Sequence, residues 1–195
     1  FFQQETSVKT RHPEHLLDGI LLMEQGKTEG NRELLKSAEE LFKSALAKNP
    51  EDAYAMAYLG NSEVLRGMLG GFLPTKILTI SRGFKHLDEA NKLWPMNPRI
   101  MLMTAWRGLE ADILYGRLWQ SADYFSILAE GFEGGGGSGW VSSDIAQQAY
   151  LGLGECLLLL GDLYGARSCW AICLTIDPAT EWGGRAEELL EDTEG

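Results

Sequence analysis

Between Ala38 and Gly60 the chain reads AEELFKSALAKNPEDAYAMAYLG, and its small and bulky positions fall in a fixed order. Ala38, Phe42, Ala45 and Pro50 are separated by four, three and five residues. The same offsets recur at Ala166, Trp170, Cys173 and Pro178, preceded by Tyr150, Leu153, Gly154, Leu157 and Gly161. Spacings of three and four put side chains on one stripe of a helix. The pattern therefore predicts two antiparallel helices per unit. In the second copy Gly154 is small enough for close approach, Gly161 ends the first helix, Asp162 caps the second and Pro178 stops it.

Looser copies surround these two. From Pro13 to Pro50, Gly19 lies within the first helix, Gly26 ends it, and KTEGNRE reads as an insert before the helix carrying Ala38, Phe42 and Ala45. A unit over 51–98 places Met56, Leu59 and Gly60 on its first helix and closes it at Gly67. The insert MLGGFLPTKILTISRGFK then delays His86, Ala90, Leu93 and Pro98, with Ile77, Leu78 and Ile80 lengthening the second helix at its start. A unit over 99–133 has Gly108 and Gly116 on or near its first helix and Ala122, Ser126 and Ala129 on its second. The run EGGGGSG, from Glu133 to Gly139, reads as a flexible joint. Residues 140–178 form the clean pair, and 179–195 a helix with a charged outer face and an acidic tail. Residues 1–12 are a polar arm opening on Phe1 and Phe2.

This spacing resembles the tetratricopeptide repeat family. The resemblance implies a single all-α domain, a right-handed α-α superhelix of about four helical hairpins with a C-terminal capping helix. It also implies a concave groove lined by the first helices, which holds a peptide or a helix of another protein. On this chain the groove positions are Tyr54, Ala57, Asn61 and Val64, then Leu102, Ala105, Leu109 and Asp112, then Gln148, Leu151, Glu155 and Leu158. The set is mostly apolar. The branch that grips a C-terminal carboxylate uses a Lys and an Asn four residues apart. Here Ala57 and Asn61 stand there, with Leu102 and Trp106 on the next helix, so that ligand class is not expected. An exposed apolar channel needs a cover: a partner segment, a second copy, or the N-terminal arm. The opposing reading has the long helix from Thr75 to Trp94 and the glycine loop fold inward and close it.

Charge sharpens the picture of partners. The 195 residues carry a net charge of −11, and the imbalance is confined to residues 118–195, where 13 acids face only Arg167 and Arg185. Such a surface repels nucleic acid and anionic lipid and attracts a basic protein partner. No apolar run is long enough to span a membrane. The polar arm and the initial Phe fit a mature exported, periplasmic bacterial protein; the cytoplasm is the other compartment considered.

Candidate chemistry is thin. The glycine run lacks the Lys-Ser/Thr pair of a phosphate loop, and GLGECL lacks the third glycine of a dinucleotide motif. His12, Glu14 and His15 straddle Pro13, a poor frame for a metal. His86 faces its paired helix. Pairs such as Glu39-Glu40 and Glu187-Glu188 read as solvated helix faces. Cys156, Cys169 and Cys173 read as buried small hydrophobes, with a disulfide from Cys156 the minor alternative. The expectation is a non-catalytic, cofactor-free and metal-free scaffold for protein binding. The alternative is a self-associating module, a homodimer included, of a larger assembly, one of the cell envelope included.

Overall fold

The computed structural model describes residues 13–111, 115–133 and 139–193. The arm 1–12 with His12, the groove position Asp112, and all of the glycine run between Glu133 and Gly139 lie outside the described residues. Among those described, the fold is all-α. After a 3-10 turn at Glu14–Leu16 come α1 (Leu17–Glu29), α2 (Arg32–Lys48), α3 (Ala53–Met68), α4 (Leu73–Leu93), α5 (Pro98–Glu110), α6 (Leu118–Glu133), α7 (Ser143–Leu159), α8 (Leu163–Ile176) and α9 (Glu181–Asp192). Two compact units emerge, Phe1–Ile100 and Met101–Gly195.

Helix ends follow local chemistry. The side chains of Asn31, Asp52, Asp162 and Thr180 accept hydrogen bonds from the first free backbone amides of α2, α3, α8 and α9. Pro50 and Pro178 lie just past the ends of α2 and α8, and Pro98 opens α5, where a missing amide proton costs nothing. Gly30 (φ 63°) and Gly161 (φ 87°) turn the chain in the left-handed region after α1 and α7.

Two expected helix ends move. Gly26 does not close α1, which continues to Glu29, so KTEGNRE is mostly helix around a tight Gly30-Asn31 turn. Gly67 likewise sits inside α3. Both are glycines of close approach rather than of turning: a Cβ on Gly26 would meet Leu35 at 3.0 Å and one on Gly67 would meet Ile80 at 2.5 Å. The second insert is also largely helical, since α4 begins at Leu73 with Pro74 in its first turn.

Each helix pair closes on a glycine of its first helix. In unit 1 a Cβ on Gly19 would fall 2.6 Å from the Phe42 ring, and one on Gly60 2.6 Å from the Gly83 carbonyl. In unit 2 the same test puts Gly108 2.3 Å from Ser121 Oγ and Gly154 2.3 Å from Trp170 Nε1. The Trp170 indole lies across α7, fully buried, and donates to the Leu151 carbonyl at 3.3 Å.

Unit 1 buries two carboxylates. Glu39 on α2, 1% exposed, takes two hydrogen bonds from the Arg66 guanidinium on α3 at 2.5 and 3.1 Å. Glu63 on α3, fully buried, binds Arg82 at 2.6 Å and His86 Nδ1 at 2.8 Å, both on α4. This corrects the reading of Glu39-Glu40 as a solvated pair: Glu40 is exposed, but Glu39 is three and four residues from Phe42 and Leu35 and shares their inward stripe. His86 packs and bonds as its repeat position suggested.

Unit 2 is held by rings and small apolar groups. Trp106 meets Phe125 edge-on at 5.3 Å and stacks on Trp182 at 6.0 Å. Met101, Leu102, Ala105, Leu109, Phe125, Leu128, Ala146 and Ala149 form one core, and Trp170, Cys173, Leu151 and Ala186 a second under α9. All three cysteines are buried thiols outside any disulfide, and burial pushes the Cys173 thiol up to about 12. Buried Gln147 donates to the Cys173 and Asp177 carbonyls at 3.1 and 2.6 Å and accepts from Thr180 at 2.9 Å, tying α7 to the turn before α9.

Candidate partner-binding face

The groove positions lie on α3, α5 and α7, the first helices of three pairs. In unit 1, Tyr54 is half-buried. Its hydroxyl accepts from Asn97 at 3.1 Å and its ring meets Trp94 edge-on at 5.3 Å, so the side chain is held rather than free to rotate. Ala57 is fully buried. Asn61, 6% exposed, donates to Met23 Sδ on α1 at 3.3 Å. Below them Val64 is buried.

In unit 2, Leu102, Ala105 and Leu109 belong to the first core and Leu151 to the second. Gln148 and Glu155, on the same stripe of α7 as Leu151, are half-buried, and Leu158 beyond them is exposed. Gln148 donates back to the Asp144 carbonyl at 3.2 Å. Burial lifts the Glu155 carboxyl above the usual carboxylate range. The Arg185 cation opposes that lift, and the neighbouring Glu110 charge adds to it.

The expected open apolar channel is therefore corrected. Except for Leu158, which is exposed, its described apolar members are core residues of their own units. What remains accessible is Tyr54 in unit 1 and, in unit 2, Gln148, Glu155 and the exposed Leu158.

A cleft of about 370 Å³ opens in unit 1 between the 3-10 turn with α1 and the end of α2, lined by His15, Asp18, Phe42, Ser44, Lys48 and Asp52. His15 Nε2 lies 2.6 Å from Asp52 Oδ2, while Asp52 Oδ1 accepts from the Ala55 amide as the cap of α3. His15 thus braces a helix cap; among the described residues, which leave out His12, no three ligating side chains gather. The spacing of His15 and Asp52, 37 residues apart, holds no sequence signal for this contact. By contrast the positions of Glu39 and Glu63 on apolar stripes carry a signal, which a reading by residue type passes over.

The chain matches no protein-family model and no curated protein sequence. No described helix is long and apolar enough to cross a membrane.

Proposed function

We propose that the chain is a tetratricopeptide-like helical repeat protein, a superhelix of stacked hairpins capped by α9, which acts as a non-catalytic scaffold and holds a peptide or helix of a basic protein partner. One observation carries the reading: a glycine of the first helix lies against the second helix in all four pairs, at Gly19, Gly60, Gly108 and Gly154. Repetition of one packing device along a chain is the mark of a repeat array. The recognition surface under this proposal is carried by Gln148 and Glu155 in unit 2, since most of the apolar groove members serve the cores. Acid replacement of Leu102 or Leu109 would unfold unit 2 and report nothing about binding.

The test is affinity capture from the source cell with the wild-type chain and a Gln148→Ala, Glu155→Ala variant of unchanged far-UV circular dichroism. Recovery of one defined protein by the wild type and its loss from the variant supports the scaffold reading. Equal recovery by both rejects this surface.

Self-association is the second reading. It rests on the turn between α7 and α8, where Leu159 and Tyr164 are 62% and 86% exposed beside Leu158 and Leu163. Light scattering over a concentration series separates the two, because only self-association raises the mass with concentration.

A further inference from the structure

The end of unit 1 where α3 turns into α4 carries an apolar patch beyond the reach of its partner helix. Gly60 lies against Gly83 and Gly67 against Ile80, which fixes the antiparallel register of the two helices. Because α3 ends at Met68, the residues of α4 before Thr79 have no part of α3 opposite them. About one and a half turns of α4, roughly 9 Å, therefore overhang.

Along that overhang Leu73, Pro74, Ile77 and Leu78 share one side at 100° per residue, and the preceding turn adds Leu69 and Phe72. Phe72, Leu78 and Leu73 are 77%, 70% and 59% exposed. From Val64 to Leu87 the chain contains no Asp or Glu, yet carries Arg66, Lys76, Arg82 and Lys85. Arg66 and Arg82 turn inward to Glu39 and Glu63; Lys76, half-buried, is the cation of the overhang itself. A Cβ on Gly71 would lie 3.3 Å from an Arg32 guanidinium nitrogen, so a second cation borders the turn; Glu33 follows it and Lys36 lies one turn on.

We infer that this overhang is a membrane-surface contact, which sinks Phe72, Leu73 and Leu78 into the interface of an anionic bilayer and sets Lys76 and Arg32 at the headgroup phosphates. A projecting tip suits a flat, deformable lipid surface better than it suits a cleft-binding peptide. The local sign also opposes that of the whole chain. This modifies the expectation, drawn from net charge, that the chain is repelled by anionic lipid.

Flotation of the full chain with phosphatidylcholine vesicles, and with vesicles mixed equally with phosphatidylglycerol, tests it. Phe72→Ser with Leu78→Ser is the main variant, both sites being exposed, and Lys76→Glu the second. The wild type is expected to float with the mixed vesicles, to bind phosphatidylcholine less, and to release as salt rises. The double variant loses flotation, and Lys76→Glu weakens binding at least about fivefold, with circular dichroism unchanged in both. No flotation by the wild type overturns the inference, as does flotation that survives Phe72→Ser with Leu78→Ser. A wild-type oligomer dissolved by the double variant reassigns the patch to a contact between copies and also overturns it.

Discussion

The two units solve the same packing problem with different materials. In Phe1–Ile100 the helices are cross-linked by buried carboxylates, Glu39 to Arg66 and Glu63 to Arg82 and His86, each reaching from one helix to the next. In Met101–Gly195 the corresponding places are taken by rings and small groups: Trp106 between Phe125 and Trp182, Trp170 over Gly154, and three buried thiols. The charge balance of the two units differs as well. Acids and cations balance in the first unit, at 13 each, whereas the second carries 15 acids against Arg107, Arg117, Arg167 and Arg185. A buried ion pair offers geometric specificity at a desolvation cost; packed aromatics offer area and dispersion.

That contrast can be broken most forcefully at Glu39. Glu39→Ala leaves the Arg66 guanidinium, whose side chain is only 17% exposed, without its carboxylate, and is expected to cost unit 1 about 3–5 kcal/mol. Joint replacement of Glu39 and Arg66 by Met is expected to recover most of that loss. The readout is far-UV circular dichroism in urea, because Trp94 is the sole tryptophan of the first unit and fluorescence reports chiefly the second. A single-variant effect near zero would mean that the pair is ornamental.

Glu63→Gln should cost less, about 1–3 kcal/mol. Arg82, half-exposed, can turn to water, and the amide oxygen can still accept a hydrogen bond. A loss as large as that of Glu39→Ala would show that the His86 contact dominates this site.

The smallest expected effect lies in unit 2 and depends on pH. The Glu155 carboxyl is raised in the folded state, chiefly by burial. The folded chain thus holds that proton more tightly than the unfolded one, and its contribution to stability declines as pH rises from the ordinary carboxylate range through the raised folded value. Glu155→Gln should therefore gain on the wild type across that window and remain ahead at neutral pH. Urea midpoints by tryptophan fluorescence check the sign; a variant that falls behind at neutral pH contradicts the assignment.

Much of the secondary structure could be read from residue spacing, since Gly154, Trp170 and Pro178 combine three independent signals in 25 residues. Helix ends were harder. Gly26 and Gly67 look like terminators, yet each is a place where a neighbouring Leu35 or Ile80 comes too close for a Cβ, and spacing alone does not distinguish a glycine that turns from one that admits a neighbour. Glu39 was misread by residue type although its position between Leu35 and Phe42 marks it as inward. The groove was the least legible part. Periodicity assigns Ala57, Leu102, Ala105, Leu109 and Leu151 to a stripe, but whether that stripe faces solvent or another helix depends on contacts distant in the chain. The same limit hid the overhang of α4, whose exposed Phe72 and Leu78 look like core until the end of α3 is known.

The account depends above all on small residues of one helix admitting bulky residues of its partner, and a double-mutant cycle between Gly154 and Trp170 measures that directly. Gly154→Ala alone should destabilise unit 2 by about 1–3 kcal/mol by overpacking against the indole. In a Trp170→Leu background the same change should cost far less, giving a coupling of at least about 1 kcal/mol in urea unfolding. Equal costs in both backgrounds would contradict the pairing, and with it the repeat on which the proposed scaffold is built.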